Sequence, residues 1–352
     1  MPDPIAAFLK ELLQIPGLPG HETPVRRRLE AEWEPLADEL SVSRLGSLHA
    51  LKRGSSPPPR PKVMLAAHMD AIGLMVTDVT GGFLRLTAVG GVDPRILPGQ
   101  PVLVHGRREL PGLVVHPPAA CLPEGVKDRP ALLEHLLVDI GLPPAQVSRM
   151  VRPGDLVSYA QPPMELGEDL IAGPALDNRA SLAALTLCLR ELQQRPHVWD
   201  IVAAATAQEE LSANGALTSG FALRPDLAVA VDVTYARGLG QPDHKTYPLA
   251  GGPTNIWGPD IHPGVHKAIG AAAQRLGVQL TVELCPDHSG TDAHAIQVAG
   301  EGIPTGAISV PLRYMHTPLE VVAIPDIHAA GRLLAEFVAG LEPDFRDRLS
   351  WD

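Results

Sequence analysis

The sequence predicts an α/β fold, a mixed sheet flanked by helices, with a small β-rich domain inserted into it. Strand-length apolar runs alternate with helical patterns near both ends of the chain, the mark of strands and helices packed in layers. Between them, from about residue 73 to 165, glycine and proline become frequent and the apolar runs are short and β-like. With 352 residues, 45% of them apolar, the chain can bury a core and still carry such an insertion.

The elements follow in order. Residues 5–13 and 22–36 have helical spacing, and 62–67 is an apolar run of strand length. Residues 83–89, 101–105 and 112–115 read as strands of the β-rich stretch. After Pro162-Pro163 the earlier style returns, with a long helix at 178–194, strands at 198–207 and 227–231, a helix at 262–276, a strand at 306–310 and a last helix at 326–341. The economical partition is one α/β domain of residues 1–72 and 166–352, interrupted by 73–165.

A formal net charge of −11, without clustered lysine and arginine, argues against a nucleic-acid or anionic-membrane surface. No stretch approaches the roughly 18 apolar residues of a membrane span, and Asp3, Lys10 and Glu11 interrupt any secretory leader. Cys121, Cys188 and Cys285 are scattered and odd in number, which suits neither a disulfide framework nor a cysteine zinc cluster. The expectation is a cytoplasmic protein.

Chemistry gathers where the strands end. Ala67-His68-Met69-Asp70 closes the first strand, Gln208-Glu209-Glu210 the second and Asp232 the third, while Tyr314-Met315-His316 follows the fourth and Asp177 precedes a helix. Open α/β sheets bind ligands at the carboxyl ends of their strands, so these distant residues can share one crevice. Taken singly each is ordinary: a histidine after a strand is usually a satisfied polar group, and Asp177 an N-cap. Adjacent Glu209 and Glu210 after a buried strand are harder to dismiss, because neighbouring carboxylates resist desolvation without a counter-charge.

A metal supplies that charge. His68, His316, Asp177, Glu210 and Asp232 together carry about −3, which two divalent ions with a hydroxide would balance and one would not. Five side chains serve two ions if one carboxylate bridges. The mixed nitrogen and oxygen set suits zinc first, or cobalt or manganese, and is too nitrogen-rich for a calcium or magnesium cage.

His68-Met69-Asp70, Ala175-Leu176-Asp177-Asn178-Arg179, Gln208-Glu209-Glu210, Val231-Asp232 and Tyr314-Met315-His316-Thr317-Pro318 resemble the ordered motifs of the M42 family of metallo-aminopeptidases. That family includes tetrahedral aminopeptidases and proteins once called glutamyl aminopeptidase or endoglucanase. Further similar stretches are Val92-Asp93-Pro94-Arg95, Val151-Arg152-Pro153-Gly154-Asp155, Gly258-Pro259-Asp260-Ile261-His262-Pro263 and Gly290-Thr291-Asp292-Ala293, so the likeness covers nearly the whole chain.

The resemblance implies that Asp177 bridges two ions, that His68 and Asp232 complete one site and Glu210 and His316 the other, that Glu209 is the general base, and that Asp70 supports His68. Asp70, two residues from His68, would face the same way on an extended strand, and a carboxylate beside a metal histidine is a common orienting partner. Peptides would lose their N-terminal residue to a water activated by the two ions, with Glu209 taking its proton. The resemblance also implies dimerisation through the inserted domain and assembly of dimers into a dodecamer. The chain departs from the family's pattern at Ser212, where a glycine is frequent, and at Asp287-His288-Ser289, a loop expected near the substrate pocket. His288 and His294 are read as loop polar residues rather than ligands.

Two other readings compete. A glycoside hydrolase needs two carboxylates roughly 5 to 9.5 Å apart; Glu209 and Glu210, as neighbouring strand residues, point to opposite faces and cannot form that pair, and the histidines are left without a role. A non-catalytic metal-dependent binding or assembly protein has no need of an unligated Glu209 beside a ligand. No Gly-x-Ser-x-Gly elbow supports a serine hydrolase.

Overall fold

The computed structural model describes residues 3–122, 124–125, 130–240 and 242–351. Among them, eleven strands form one mixed sheet and six others close a separate barrel. The parallel centre of the sheet runs in the order Asp200–Thr206, Lys62–His68, Leu227–Tyr235, Thr305–Arg313. These runs are almost wholly buried, which is why the sequence shows them as continuous apolar stretches rather than as alternating ones.

Antiparallel strands extend the sheet on both sides. Leu48–Lys52 and Glu39–Val42 lie beyond Asp200–Thr206; Glu320–Ala323, Leu170–Gly173 and Met164–Leu166 lie beyond Thr305–Arg313. The pair Thr254–Trp257 and Thr281–Leu284 branches from Thr305–Arg313. Their exposed edges and mixed polarity hide them from an apolar-run reading.

Helices cover both faces. On one, Leu176–Glu191 packs against Ile324–Ala339 and Pro4–Leu13, and this layer shares with the sheet a core that includes Trp33, Leu185 and Phe337. On the other, Asn214–Leu223 and Asp292–Gln297 pack together over Met64, Ala204 and Ala228. Small alanines in the strands let these two short helices approach closely. Among the described residues no helix is long and apolar enough to cross a membrane.

The barrel closes in the order Gly73–Thr80, Phe83–Val89, Leu137–Asp139, Glu109–Val115, Pro101–His105, Leu156–Tyr159, around its own core of Leu74, Val104, Val138 and Val157. Its first strand begins five residues after His68 leaves the sheet, and its last ends at Tyr159, while Met164–Leu166 already belongs to the large sheet. The barrel therefore grows out of the crevice edge itself.

Candidate metal centre

His68 ends the strand Lys62–His68, and Asp232 lies on its parallel neighbour Leu227–Tyr235, so the sheet sets both. Asp177 opens Leu176–Glu191, yet it caps nothing with its side chain: its backbone is extended at φ −77° and ψ 103°, and Ala175 before it is left-handed at φ 60°. The Asn178 amide donates to the Val231 carbonyl at 2.9 Å and ties this turn to the Asp232 strand.

Glu209 and Glu210 do not close a strand, contrary to the sequence reading. The strand ends at Thr206, Gln208 is left-handed at φ 61°, and Glu209–Ser212 is a single helical turn. Alternating strand faces therefore do not separate the two glutamates; their neighbours do. Glu209 Oε2 is 3.7 Å from His68 Nε2, whereas Glu210 Oε2 is 3.5 Å from His316 Nε2.

His68, Asp177 and Asp232 can bring one ligand atom each to within 4.8 Å of one another, and so can Asp177, Glu210 and His316. Asp177 belongs to both groups: its Oδ1 faces His68 Nε2 at 3.2 Å and its Oδ2 faces His316 Nε2 at 3.3 Å. All five expected ligands thus meet at one place from five separate parts of the chain. Of the seven non-glycine residues with positive φ among those described, Ala175, Gln208, Ala213, Tyr314 and His316 flank this centre. Left-handed backbone costs about 1–3 kcal/mol at such residues and persists only where the surroundings hold it.

Buried carboxylates do the holding. Asp70, past the end of the strand, accepts the backbone N–H groups of Glu209 and Glu210, each at 3.0 Å. His68 Nδ1 meets the Asp70 carbonyl oxygen at 3.0 Å and its carboxylate only at 3.6 Å, so the backbone of Asp70 is its nearer partner. With Nδ1 held there, Nε2 faces the crevice and Asp177. Glu320, which the sequence reading did not single out, accepts the N–H groups of Asp177 at 3.0 Å and of His316 at 2.9 Å. Glu22 does the same for Gly20 and Gln208. An acid leading the apolar strand Glu320–Ala323 was the available signal for Glu320, since an acid is seldom fully buried without a partner.

The electrostatics call for cations. Burial pushes Glu209 up to about 8 and Glu210 up to about 10, the latter helped by repulsion from Asp177, and lifts Asp232 well above the carboxylate range. Burial works against protonation of His68, but Glu209 and Asp177 outweigh it and raise that histidine well above its ordinary value. Burial likewise opposes ionisation of Asp177, and the hydrogen bonds from His316 and His68 overcome it, so its carboxyl titrates below the usual range. Glu210 Oε1 is buried with no hydrogen-bond partner. Buried Arg179 lies near, but donates to the carbonyls of Leu12 and Ile15. An acidic cluster with one oxygen unsatisfied, and two imidazole Nε2 atoms whose protons a cation would displace, fits divalent ions held by nitrogen and oxygen.

The model of the family described as M42 glutamyl aminopeptidase matches residues 46–333. The chain belongs to the M42 family. It is a peptidase, a hydrolase acting on peptide bonds. The lysyl aminopeptidase of Pyrococcus furiosus is 33% identical over 96% of this M42 chain and 97% of its own. The aminopeptidase APDkam598 of Desulfurococcus kamchatkensis superposes with a TM-score of 0.90 at 28% identity, covering 98% of this chain and 97% of that one. The TET1 peptidase of Pyrococcus horikoshii, which can assemble into a tetrahedron or a large octahedral shell, superposes with a TM-score of 0.83 at 26% identity, over 96% of this chain and 100% of that one.

Proposed function

We propose that this M42 peptidase holds two divalent ions, zinc first among zinc, cobalt and manganese, and removes single residues from the N-termini of peptides. His68 and Asp232 would hold one ion and Glu210 and His316 the other, with Asp177 shared between them. The observation that carries this reading is the placement of the two Asp177 oxygens, one 3.2 Å from His68 and the other 3.3 Å from His316.

When bound, the paired cations acidify water and polarise the peptide carbonyl. Glu209 stands beside this centre without belonging to either ligand group, and it is the general base. Its carboxylate takes the proton of the attacking water as the new C–O bond forms, and returns it to the leaving amine as the C–N bond breaks. Burial raises its carboxyl in the metal-free protein; cations bound beside it would favour the ionised form that a base requires. Asp70 fixes the turn that carries Glu209 and Glu210 by accepting both their backbone N–H groups.

Self-association proceeds through the barrel, whose exposed Phe83 and Leu113 offer apolar contact, to dimers and on to a dodecamer in the cytoplasm. The P. furiosus relative is named for lysyl residues and the family for glutamyl ones, so the names point to opposite charges for the side chain removed.

The test is to strip the protein with a chelator and restore each metal in turn. Cleavage of an aminoacyl reporter should vanish and return, with about two ions bound per chain at saturation, and an N-acetylated reporter should resist. Saturation at one ion overturns the two-ion reading, and activity that survives chelation overturns the metallopeptidase.

A further inference from the structure

The metal centre opens into a cleft of about 640 Å³. Away from the ligands its walls are formed by Leu211, Val233, Tyr235 and Met315, which are apolar or aromatic, together with Thr234 and Glu283. Glu283 is the one lining carboxylate that the metal centre does not use. No lysine or arginine is found among the described residues that line the cleft. His288 and His294 stand on the same wall with their rings 5.0 Å apart.

Glu283 lies on the strand Thr281–Leu284 and is held in place from two sides. Thr234 Oγ1 donates to its Oε1 at 2.6 Å and Thr254 Oγ1 to its Oε2 at 2.5 Å. Each carboxylate oxygen has a second lone pair, so acceptor capacity remains after both bonds. Burial raises this carboxyl and only hydroxyl hydrogen bonds oppose the rise; no cation contributes. Thr234 follows Asp232 by two residues on the strand Leu227–Tyr235, so the two share a face about 7 Å apart. The fixed negative charge thus stands about one long side chain away from a metal ligand. An N-terminal residue with its carbonyl at the metals would send its side chain along this wall, and the four-carbon stem of lysine has the reach to meet Glu283.

We propose that Glu283 is the specificity-determining residue of the cleft and that the enzyme prefers peptides whose N-terminal side chain is cationic, lysine or arginine. The proposal rests on the aminopeptidase reading above. A cation in the cleft gives Glu283 the partner that the fold withholds, the aliphatic stem lies along Leu211 and Met315, and an acidic side chain meets like charge.

Metal-loaded full-length enzyme is assayed with 4-nitroanilides of lysine, arginine, norleucine, Nε-acetyl-lysine and glutamate. Norleucine keeps the lysine stem without its charge. The expected result is kcat/KM for lysyl at least ~10-fold above norleucyl, as a charge-assisted hydrogen bond supplies, with glutamyl slowest. Glu283→Gln should lower the lysyl-to-norleucyl ratio of kcat/KM by ~10-fold. A ratio unchanged in Glu283→Gln, or glutamyl as the fastest substrate, overturns the proposal. If that variant does not fold, the wild-type comparison of lysyl with Nε-acetyl-lysyl decides, and equal rates overturn it. Norleucyl cleavage without lysyl preference sinks this proposal alone, whereas failure to cleave any reporter with metal bound sinks the aminopeptidase reading and this proposal with it.

Discussion

His68 and His316 turn the same imidazole nitrogen toward the two oxygens of Asp177, at 3.2 and 3.3 Å, yet the side chain of the first is 1% exposed and that of the second 38%. His68 and Asp232 stand on neighbouring parallel strands, so sheet hydrogen bonds orient this inner half. His316 and Glu210 stand in turns entered through left-handed residues, so the outer half is held by Glu320, by Asp70 and by the barrel. Gly91 of the barrel comes so close that a Cβ there would lie 2.7 Å from His316 Nδ1, and one on Gly90 would lie 3.4 Å from Glu210 Oε2. The same ligand types can therefore be made rigid by a sheet or by a neighbouring domain, and only the second way couples the centre to movements of the barrel.

The largest effect expected separates the two glutamates at the junction of these halves. Glu209→Gln keeps shape but cannot accept a proton, so turnover should fall by ~10²-fold or more with both ions retained. Glu210→Gln should lose rate together with the outer ion, because an amide is a poorer donor. Bound metal and turnover measured in both variants test the assignment; loss of metal from Glu209→Gln with none from Glu210→Gln would reverse the roles.

Next in size is the contrast between the histidines. His68→Ala should weaken the tighter of the two ions, and His316→Ala only the one that exchanges faster, as read by stepwise chelator competition. Equal loss of both ions in each variant would mean that Asp177 couples the halves completely and that the contrast in burial carries no energetic weight.

Glu320→Gln should weaken the outer ion by ~10–100-fold, the range for a lost orienting partner of a ligand, because an amide has one acceptor oxygen for the two N–H groups of Asp177 and His316. An unchanged affinity would make Glu320 a purely structural acid.

Proton release is expected from both halves, because Asp232 and His68 are raised in the inner one as Glu210 is in the outer. Burial and the repulsion of Asp177 push Glu210 up to about 10, so in the metal-free protein it is protonated at neutral pH, and the outer ion must displace that proton. Affinity for this ion should therefore weaken as pH falls and strengthen as it rises toward about 10. Titration calorimetry at pH 7 in two buffers of different ionisation enthalpy should show protons released on loading, and none released would count against the buried carboxyl. The smallest effect is that of Gly91→Ala, whose methyl group would press on His316: a severalfold weaker outer ion, and an unaltered inner one.

Much of this molecule is legible from residue order. The central strands and the helices at 178–194, 262–276 and 326–341 were visible because burial on both faces or on one helical stripe writes a period into the sequence, and the structure places them within a few residues of those bounds. The strands Glu39–Val42, Leu48–Lys52, Thr254–Trp257 and Thr281–Leu284 were not visible, because they are only four or five residues long and mix polar with apolar residues, buried Thr254 and Asn255 among them. Glu320 and Glu22 escaped for another reason. Each does its work by accepting backbone N–H groups, and a backbone partner leaves no residue type in the sequence to be recognised.

What the sequence determined by itself was the set of donors. Carboxylates gathered near strand ends repel one another without cations, and that follows from residue types alone. The family resemblance already paired these donors; the tertiary structure shows how the backbone parts them. Glu209 and Glu210 are neighbours in the chain, but a left-handed Gln208 starts a helical turn that sends one toward His68 and the other toward His316. Distances between side chains of different strands depend on register and backbone handedness, which are set by the packing of the whole sheet, and so the opposite directions taken by two adjacent, identical residues are visible only in the fold.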